Sequence, residues 1–183
     1  MGKKQAESLA KSLKERNIRK VISSPLKRTQ QTAKAVSLYT KSEIILDRRI
    51  IETNHGVWEC KRKNWIKKNY PGIFSMWQHK PEKVVFPGGE AFGDTVKRVN
   101  TFIKSTNWFG NVVLVTHDNI ARIIICLAKN LSVNEMWKIQ LDPAGISILE
   151  VKGVDGFKKL KSLRLNDVGH LENFQSNILI QAL

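Results

Sequence analysis

Hydrophobic positions recur along this chain in two rhythms. From residue 3 to residue 16 they fall three and four apart, with Ala6, Leu9, Ala10 and Leu13 on one stripe, which predicts an amphipathic helix. Lys20-Val21-Ile22-Ser23 then reads as a short apolar strand running into Ser24-Pro25. Ser24 is a good N-cap and Pro25 suits the first helical position, so a second helix is expected with Arg28 about one turn inside it. Ile44-Ile45-Leu46 predicts a short buried strand ending at Asp47. Between about 60 and 89 the helical period is lost, and Pro71, Gly72, Pro81, Pro87, Gly88 and Gly89 predict a mostly irregular, lid-like region. Glu90 to Ser105 reads as helix, with Phe92, Val96, Val99 and Ile103 inward.

The continuous run Val112-Val113-Leu114-Val115-Thr116 predicts a strand covered on both faces. It releases His117 into the start of a helix whose apolar run, Ile120 to Cys126, is too long for a strand. Asn134 to Ile139 predicts a short helix. Ile146 to Val151 and Leu160 to Leu165 predict two late strands joined by a turn at Gly153-Val154-Asp155-Gly156. No repeat, linker or low-complexity tract interrupts the pattern.

Length and composition change this picture little. A chain of 183 residues, 42% hydrophobic and 26% charged, fits a single domain, 1–183, with a sizeable core. No apolar run reaches membrane-span length, and Met1-Gly2-Lys3-Lys4 leads into the first helix rather than a signal peptide. Cys60 and Cys126 point to a reduced, cytoplasmic setting. The net charge of +15 raises nucleic acid as a competing partner. The lysines are spread along the chain, however. The densest stretch, Lys61-Arg62-Lys63-Asn64-Trp65-Ile66-Lys67-Lys68-Asn69-Tyr70, interleaves aromatics with charge as single-strand binders do, and also fits a solvated helix with Trp65 and Tyr70 on its inner face.

Two strand-to-helix corners carry the candidate chemistry. α/β proteins hold ligands at the carboxyl edge of the sheet, and a helix start offers free N–H groups to an anion. Here one corner brings the fixed cation Arg28 and the other the imidazole His117, which together make a phosphate-sized pocket. His55, His79, His117 and His170 lack the spacing of metal ligands.

With their flanking residues these corners resemble the histidine phosphatase (phosphoglycerate-mutase-like) superfamily. Ser23-Ser24-Pro25-Leu26-Lys27-Arg28-Thr29-Gln30-Gln31-Thr32-Ala33 is similar to its Ser-Ser-Pro-Leu-x-Arg-x-x-Gln-Thr-Ala element, and Glu52 to Glu59 to its Glu-x-x-x-Gly-x-Trp-Glu element. Pro87-Gly88-Gly89-Glu90 resembles its Gly-Gly-Glu loop, Thr116-His117 its second histidine, and Asn166 to Leu171 its closing Asn-x-x-Gly-His-Leu. The resemblance implies a three-layer α/β/α sandwich with a mostly parallel central sheet, and phosphomonoester hydrolysis through a phosphohistidine, without metal or cofactor. It assigns Arg28 and His117 to the phosphate, with His117 a second cation when protonated, and Glu52 to protonation of the departing alkoxide. Ser24, Asp118 at the helix start and Glu90 on the substrate side complete the pocket. The expected ligands are small phosphorylated substrates or inorganic phosphate or sulfate. A homodimer is a further expectation, and membrane and nucleic acid are not expected partners.

The departures from the pattern matter as much. The family's opening strand ends in Arg-His-Gly, whose histidine takes the phosphoryl group, and that tripeptide does not occur among the 183 residues. Met1-Gly2-Lys3-Lys4-Gln5-Ala6 is similar instead to the start of the family's first helix. The first strand, the nucleophile and one phosphate-binding arginine are therefore expected to be missing, as in an N-terminally truncated chain with little or no activity. Its slot would be closed by the neighbouring strands, by a second copy, or by the apolar tail Asn177 to Leu183. Asp118, Ala91 and Cys60 are smaller departures that bear on the substrate. His55, three residues after Glu52, was weighed as a substitute nucleophile; a local structural role is expected for it, for His79 and for His170. Three functions fit: a broad phosphatase completed by the absent segment, a pseudoenzyme or mutase-type phosphoryl transferase keeping an anion pocket, and a basic nucleic-acid module.

Overall fold

Alternating apolar strands and amphipathic helices fold here into three layers. The structure is a computed structural model in which residues 1–153 and 159–174 are described. Helix α1 (Gly2–Leu13) buries the expected stripe and leads to strand β1 (Ile18–Ser23), helix α2 (Lys27–Thr40) and strand β2 (Glu43–Leu46). Helices α3 (Lys63–Asn69), α4 (Pro71–His79) and α5 (Phe92–Ser105) precede strand β3 (Asn111–Val115) and helix α6 (Asp118–Lys129). Strands β4 (Ile146–Lys152) and β5 (Lys159–Asp167) close the series.

β1 lies between β2 and β3 and runs parallel to both, with Val21 opposite Val113 and Ser23 opposite Val115. Leu9, Ala10, Leu13, Ala33 and Val36 from α1 and α2 cover one face of this sheet. Val96, Val99, Phe102, Ile120 and Ile123 from α5 and α6 cover the other. The α/β sandwich and its parallel sheet follow the sequence pattern. Among the described residues no helix is long and apolar enough to cross a membrane.

β4 and β5 form a separate antiparallel pair, and among the described residues no pairing joins β3 to β4. Of the three expected ways to fill the groove, closure by the neighbouring strands is not seen among the described residues. Among the described residues no strand pairs with either edge that borders it, and Val112 to Val115 are half-buried although both sheet faces are covered. The cleft of about 2210 Å³ includes this groove and extends to the carboxyl ends of β1 and β3. The expected turn at 153–156 and the tail at 177–183 fall in part or whole outside the described residues.

Several boundaries differ from expectation for local reasons. The N-cap of α2 is Leu26 rather than Ser24, although the Ser24 hydroxyl still accepts from Leu26 N at 3.3 Å, and Arg28 is consequently the second helical residue. β2 sits at the sheet edge, so Ile45 and Leu46 are exposed rather than buried. Helix α5 starts at Phe92, because Ala91 bridges back to Val85. The expected helix at Asn134 to Ile139 is a 3-10 turn, Val133–Lys138, capped by Ser132 and Glu135.

The largest correction concerns residues 60–89. Pro71 opens α4 instead of breaking a helix, since the first helical position needs no N–H. Ile66, rather than Trp65, points inward from α3, and Trp65 is exposed. Trp58, Trp77, Phe86 and Phe92 pack edge to face at 4.9 to 5.3 Å between ring centres, in the same cluster as the α5 and α6 core. The cap is therefore a fixed part of the domain. Truncating Phe86, which is 1% exposed, to alanine should cost about 3–5 kcal/mol. Urea unfolding of that variant is expected to stay a single transition at a lower midpoint; a cap that loosens alone, leaving the global midpoint unchanged, would contradict this packing.

Candidate active site

The carboxyl ends of β1 and β3 lie level, so the residues that follow them meet. Ser24 N donates to Val115 O at 3.0 Å, and beyond that bond Ser24 Oγ and His117 Nε2 share a hydrogen bond of 2.7 Å. Ser24 is fully buried and His117 is 7% exposed. His117 is the N-cap of α6, and its carbonyl accepts from Ala121 N at 2.9 Å. Thr29 holds the other corner by donating from its hydroxyl to Ser24 O at 2.9 Å.

Glu52 lies in the loop after the 3-10 turn Arg48–Ile50. Its carboxyl accepts from Thr53 N at 2.9 Å and from the backbone of Asn119. Burial, helped by the nearby Asp118 carboxylate, outweighs the hydrogen bonds from Thr53 and Asn119 and the charge of Arg28, and raises it to about 7. His117 moves the opposite way, down to about 3, because it is desolvated and faces the charges of Arg28 and Arg98. The site without an anion thus holds a neutral imidazole, and the second cation expected at His117 would have to be induced by a bound anion.

The loop carrying Glu52 is set by Arg98, which sequence reasoning missed. Its Nη1 donates to the carbonyls of Arg49 and Ile51 at 2.8 and 2.7 Å, and its Nη2 to Glu52 O at 3.3 Å and Glu90 Oε1 at 2.9 Å. Arg98 lies three residues after Thr95 and four before Phe102, both fully buried, so an arginine on an inward stripe was the signal available. Glu90 is correspondingly engaged: its Oε1 also accepts from Asn54 N at 2.9 Å. Gly56 and Gly89 let the two loops interlock. A Cβ on Gly56, whose φ is +56°, would stand 2.2 Å from Pro87 O, and one on Gly89 would stand 2.3 Å from Asn54 O.

Asp118 is also engaged, by Arg122 Nε at 2.8 Å. Arg122, a second residue that the sequence pattern did not single out, donates from Nη1 to the carbonyls of Met136 and Ile139. His55 has a structural setting. Its Nε2 accepts from Asn119 Nδ2 at 3.1 Å, its ring stands edge-on to Phe86 at 4.7 Å, and burial lowers its pKa. His79 and His170 bond the carbonyls of Ser75 and Ala144, at 2.8 and 3.0 Å. Arg28, Glu52, Ser24, His117 and Asp118 therefore gather at one corner, with Glu90 one loop away.

The model of the histidine phosphatase superfamily, branch 1, matches residues 1–164 of this chain. The chain belongs to the histidine phosphatase superfamily. Phosphoserine phosphatase 1 of Hydrogenobacter thermophilus is 32% identical over 176 residues, covering 94% of this chain and 82% of that protein. Among solved structures, YhfR of Bacillus stearothermophilus superposes with a TM-score of 0.82 at 25% identity, covering 92% of this chain and 84% of its own. A mycobacterial glucosyl-3-phosphoglycerate phosphatase in complex with inorganic phosphate superposes with a TM-score of 0.78 at 23% identity, over 92% of this chain and 86% of its own. The chain shares its fold with both structures.

The two shifted groups give stability opposite pH dependences. Glu52 binds its proton more tightly in the folded chain, about 7 against 4.5, so its contribution is full below pH 4.5 and is lost as pH rises through 7. His117 resists protonation on folding, about 3 against 6.5, so its contribution is full above pH 6.5 and is lost as pH falls towards 3. Glu52→Gln should remove the first dependence. Unfolding free energies should match those of the parent at pH 4.5 and exceed them at pH 8 by about 3 kcal/mol; an unchanged slope would mean an ordinary, solvated carboxyl.

Proposed function

We propose that this chain carries the phosphate-gripping and proton-donating half of a phosphomonoesterase that works through a phosphohistidine. The phosphoryl acceptor would be supplied by a strand seated in the groove between β3 and β4. The observation that carries this reading is the convergence of Arg28, His117 and a Glu52 carboxyl that stays protonated to about neutral pH. An idle anion pocket has no need of such an acid, so the hydrolase is favoured over a pseudoenzyme.

Arg28 would grip two phosphate oxygens with its planar fork, and the approaching dianion would raise His117 until it donates as well. The acceptor imidazole forms the new N–P bond as the ester P–O bond breaks, and Glu52 passes its proton to the departing alkoxide. Water then attacks the phosphohistidine, gives its proton to the Glu52 carboxylate, and releases inorganic phosphate. Both steps spread charge over the equatorial oxygens, which makes cations and aimed N–H groups the main requirement. The groove supports the position of the acceptor: a strand pairing with the free edges of β3 and β4 would end level with Ser24 and His117.

The test compares the 183-residue chain with a fusion that prefixes a strand ending in Arg-His-Gly. The fusion should hydrolyse an aryl phosphate at least about a thousandfold faster than the chain alone, the scale at which a lost nucleophile leaves only the anion site behind. Within the fusion, Arg28→Ala and His117→Ala should each cost about 10²–10³ in kcat/KM. Glu52→Gln should cost about 10²–10⁴ with alkyl phosphates and much less with aryl phosphates, whose leaving groups need no proton. Rapid turnover by the 183-residue chain with His55 or His117 phosphorylated would overturn the proposal.

A further inference from the structure

The cleft has a second half, beyond the phosphate corner, and its walls are aromatic. Trp77 and Trp137 line it, their rings edge to face at 5.0 Å, and Trp137 Nε1 donates to Trp77 O at 2.8 Å, which fixes the indole. The Arg122 guanidinium stands 5.4 Å from the Trp137 ring centre and is itself tied to Asp118 and two carbonyls. Trp137 nevertheless remains 37% exposed, a prepared apolar surface at the mouth of the site. His55, neutral by burial, meets the other side of Trp77 edge-on at 6.0 Å.

The charge balance of this half is as informative as its rings. Among the described residues that line it are the carboxylate of Glu59 and the ion pair of Asp118 with Arg122, whose charges offset each other. The basic cap residues Lys61, Arg62, Lys67 and Lys68 do not line the cleft, and Lys63 lines a separate cavity of about 290 Å³ behind Trp77 and Trp137. The +15 net charge can thus steer anions from a distance, but a second anionic group on a bound substrate would face the Glu59 carboxylate.

Resting on the phosphate site proposed above, we infer that the leaving-group half of the cleft selects monoesters of planar aromatic alcohols. Esters whose leaving group bears a further negative charge are rejected. Trp137 is the specificity-determining residue: its fixed ring stacks with the aryl group at little cost in side-chain freedom. Glu59 supplies the repulsive element that specificity needs.

The experiment is a calorimetric titration of the 183-residue chain with inorganic phosphate, methyl phosphate, phenyl phosphate and 3-phosphoglycerate. Phenyl phosphate should bind about tenfold tighter than methyl phosphate, on the scale of one aromatic pair and its buried area, and 3-phosphoglycerate should bind more weakly than either. In Trp137→Ala the phenyl preference should vanish with inorganic phosphate unchanged, whereas Trp137→Phe should retain most of it. Binding of inorganic phosphate with no phenyl preference, or a preference indifferent to Trp137→Ala, would overturn the aromatic subsite and leave the phosphate site standing. Tighter binding of 3-phosphoglycerate than of methyl phosphate would overturn the charge argument. Failure of every phosphate to bind would sink the site itself and the inference with it.

Discussion

The parallel register of β1 with β3 is the constraint on which the site depends. Because Ser23 pairs with Val115, both strands end at one level, and Ser24, one residue on, and His117, two residues on, reach each other across 2.7 Å. A slip of one residue would send Val21 and Ile22 to the wrong faces, separating them from the two clusters that bury them. The hydrophobic pattern that stabilises the sheet therefore also aligns the polar corner. Arg28 follows from the same geometry, because it is the second residue of a helix that starts at Lys27, four residues after the paired Ser23.

Burial then sets the chemistry. The same desolvation that holds Glu52 protonated holds His117 neutral, and Arg28 acts on both groups in the sense that favours negative charge nearby. An anion entering this corner meets one fixed cation, one imidazole ready to take a proton, and one acid ready to give one. Arg98 maintains that arrangement from beneath. Its guanidinium spans the backbone of residues 49 to 52 and the carboxylate of Glu90, so the acid's loop and the Gly-Gly-Glu loop move as one piece.

The meeting of Ser24, Arg28 and His117 at one corner was legible in the sequence because they sit in short contiguous motifs at strand ends, where local signals and tertiary position coincide. The stripe of α1 and the inward faces of α5 and α6 were legible for the same reason. The cap was not: Pro71 carries the same punctuation at a helix start as at a helix break, and only the aromatic packing of Trp58, Trp77 and Phe86 decides between them. Arg98 and Arg122 escaped notice because their partners are mostly backbone carbonyls and residues distant in sequence, which no linear pattern displays. Ile45 and Leu46 misled in the opposite direction, since an apolar edge strand reads like an interior one.

The most direct measurement follows the His117 ring through a pH titration by nitrogen-edited NMR, with and without inorganic phosphate. In the free chain the imidazole should stay neutral far below its ordinary value of 6.5, towards about 3. Saturating phosphate should raise its midpoint by a unit or more, and Arg28→Ala should abolish that response. A ring that titrates near 6.5 and ignores phosphate would contradict a phosphate site built on Ser24, Arg28, Glu52 and His117.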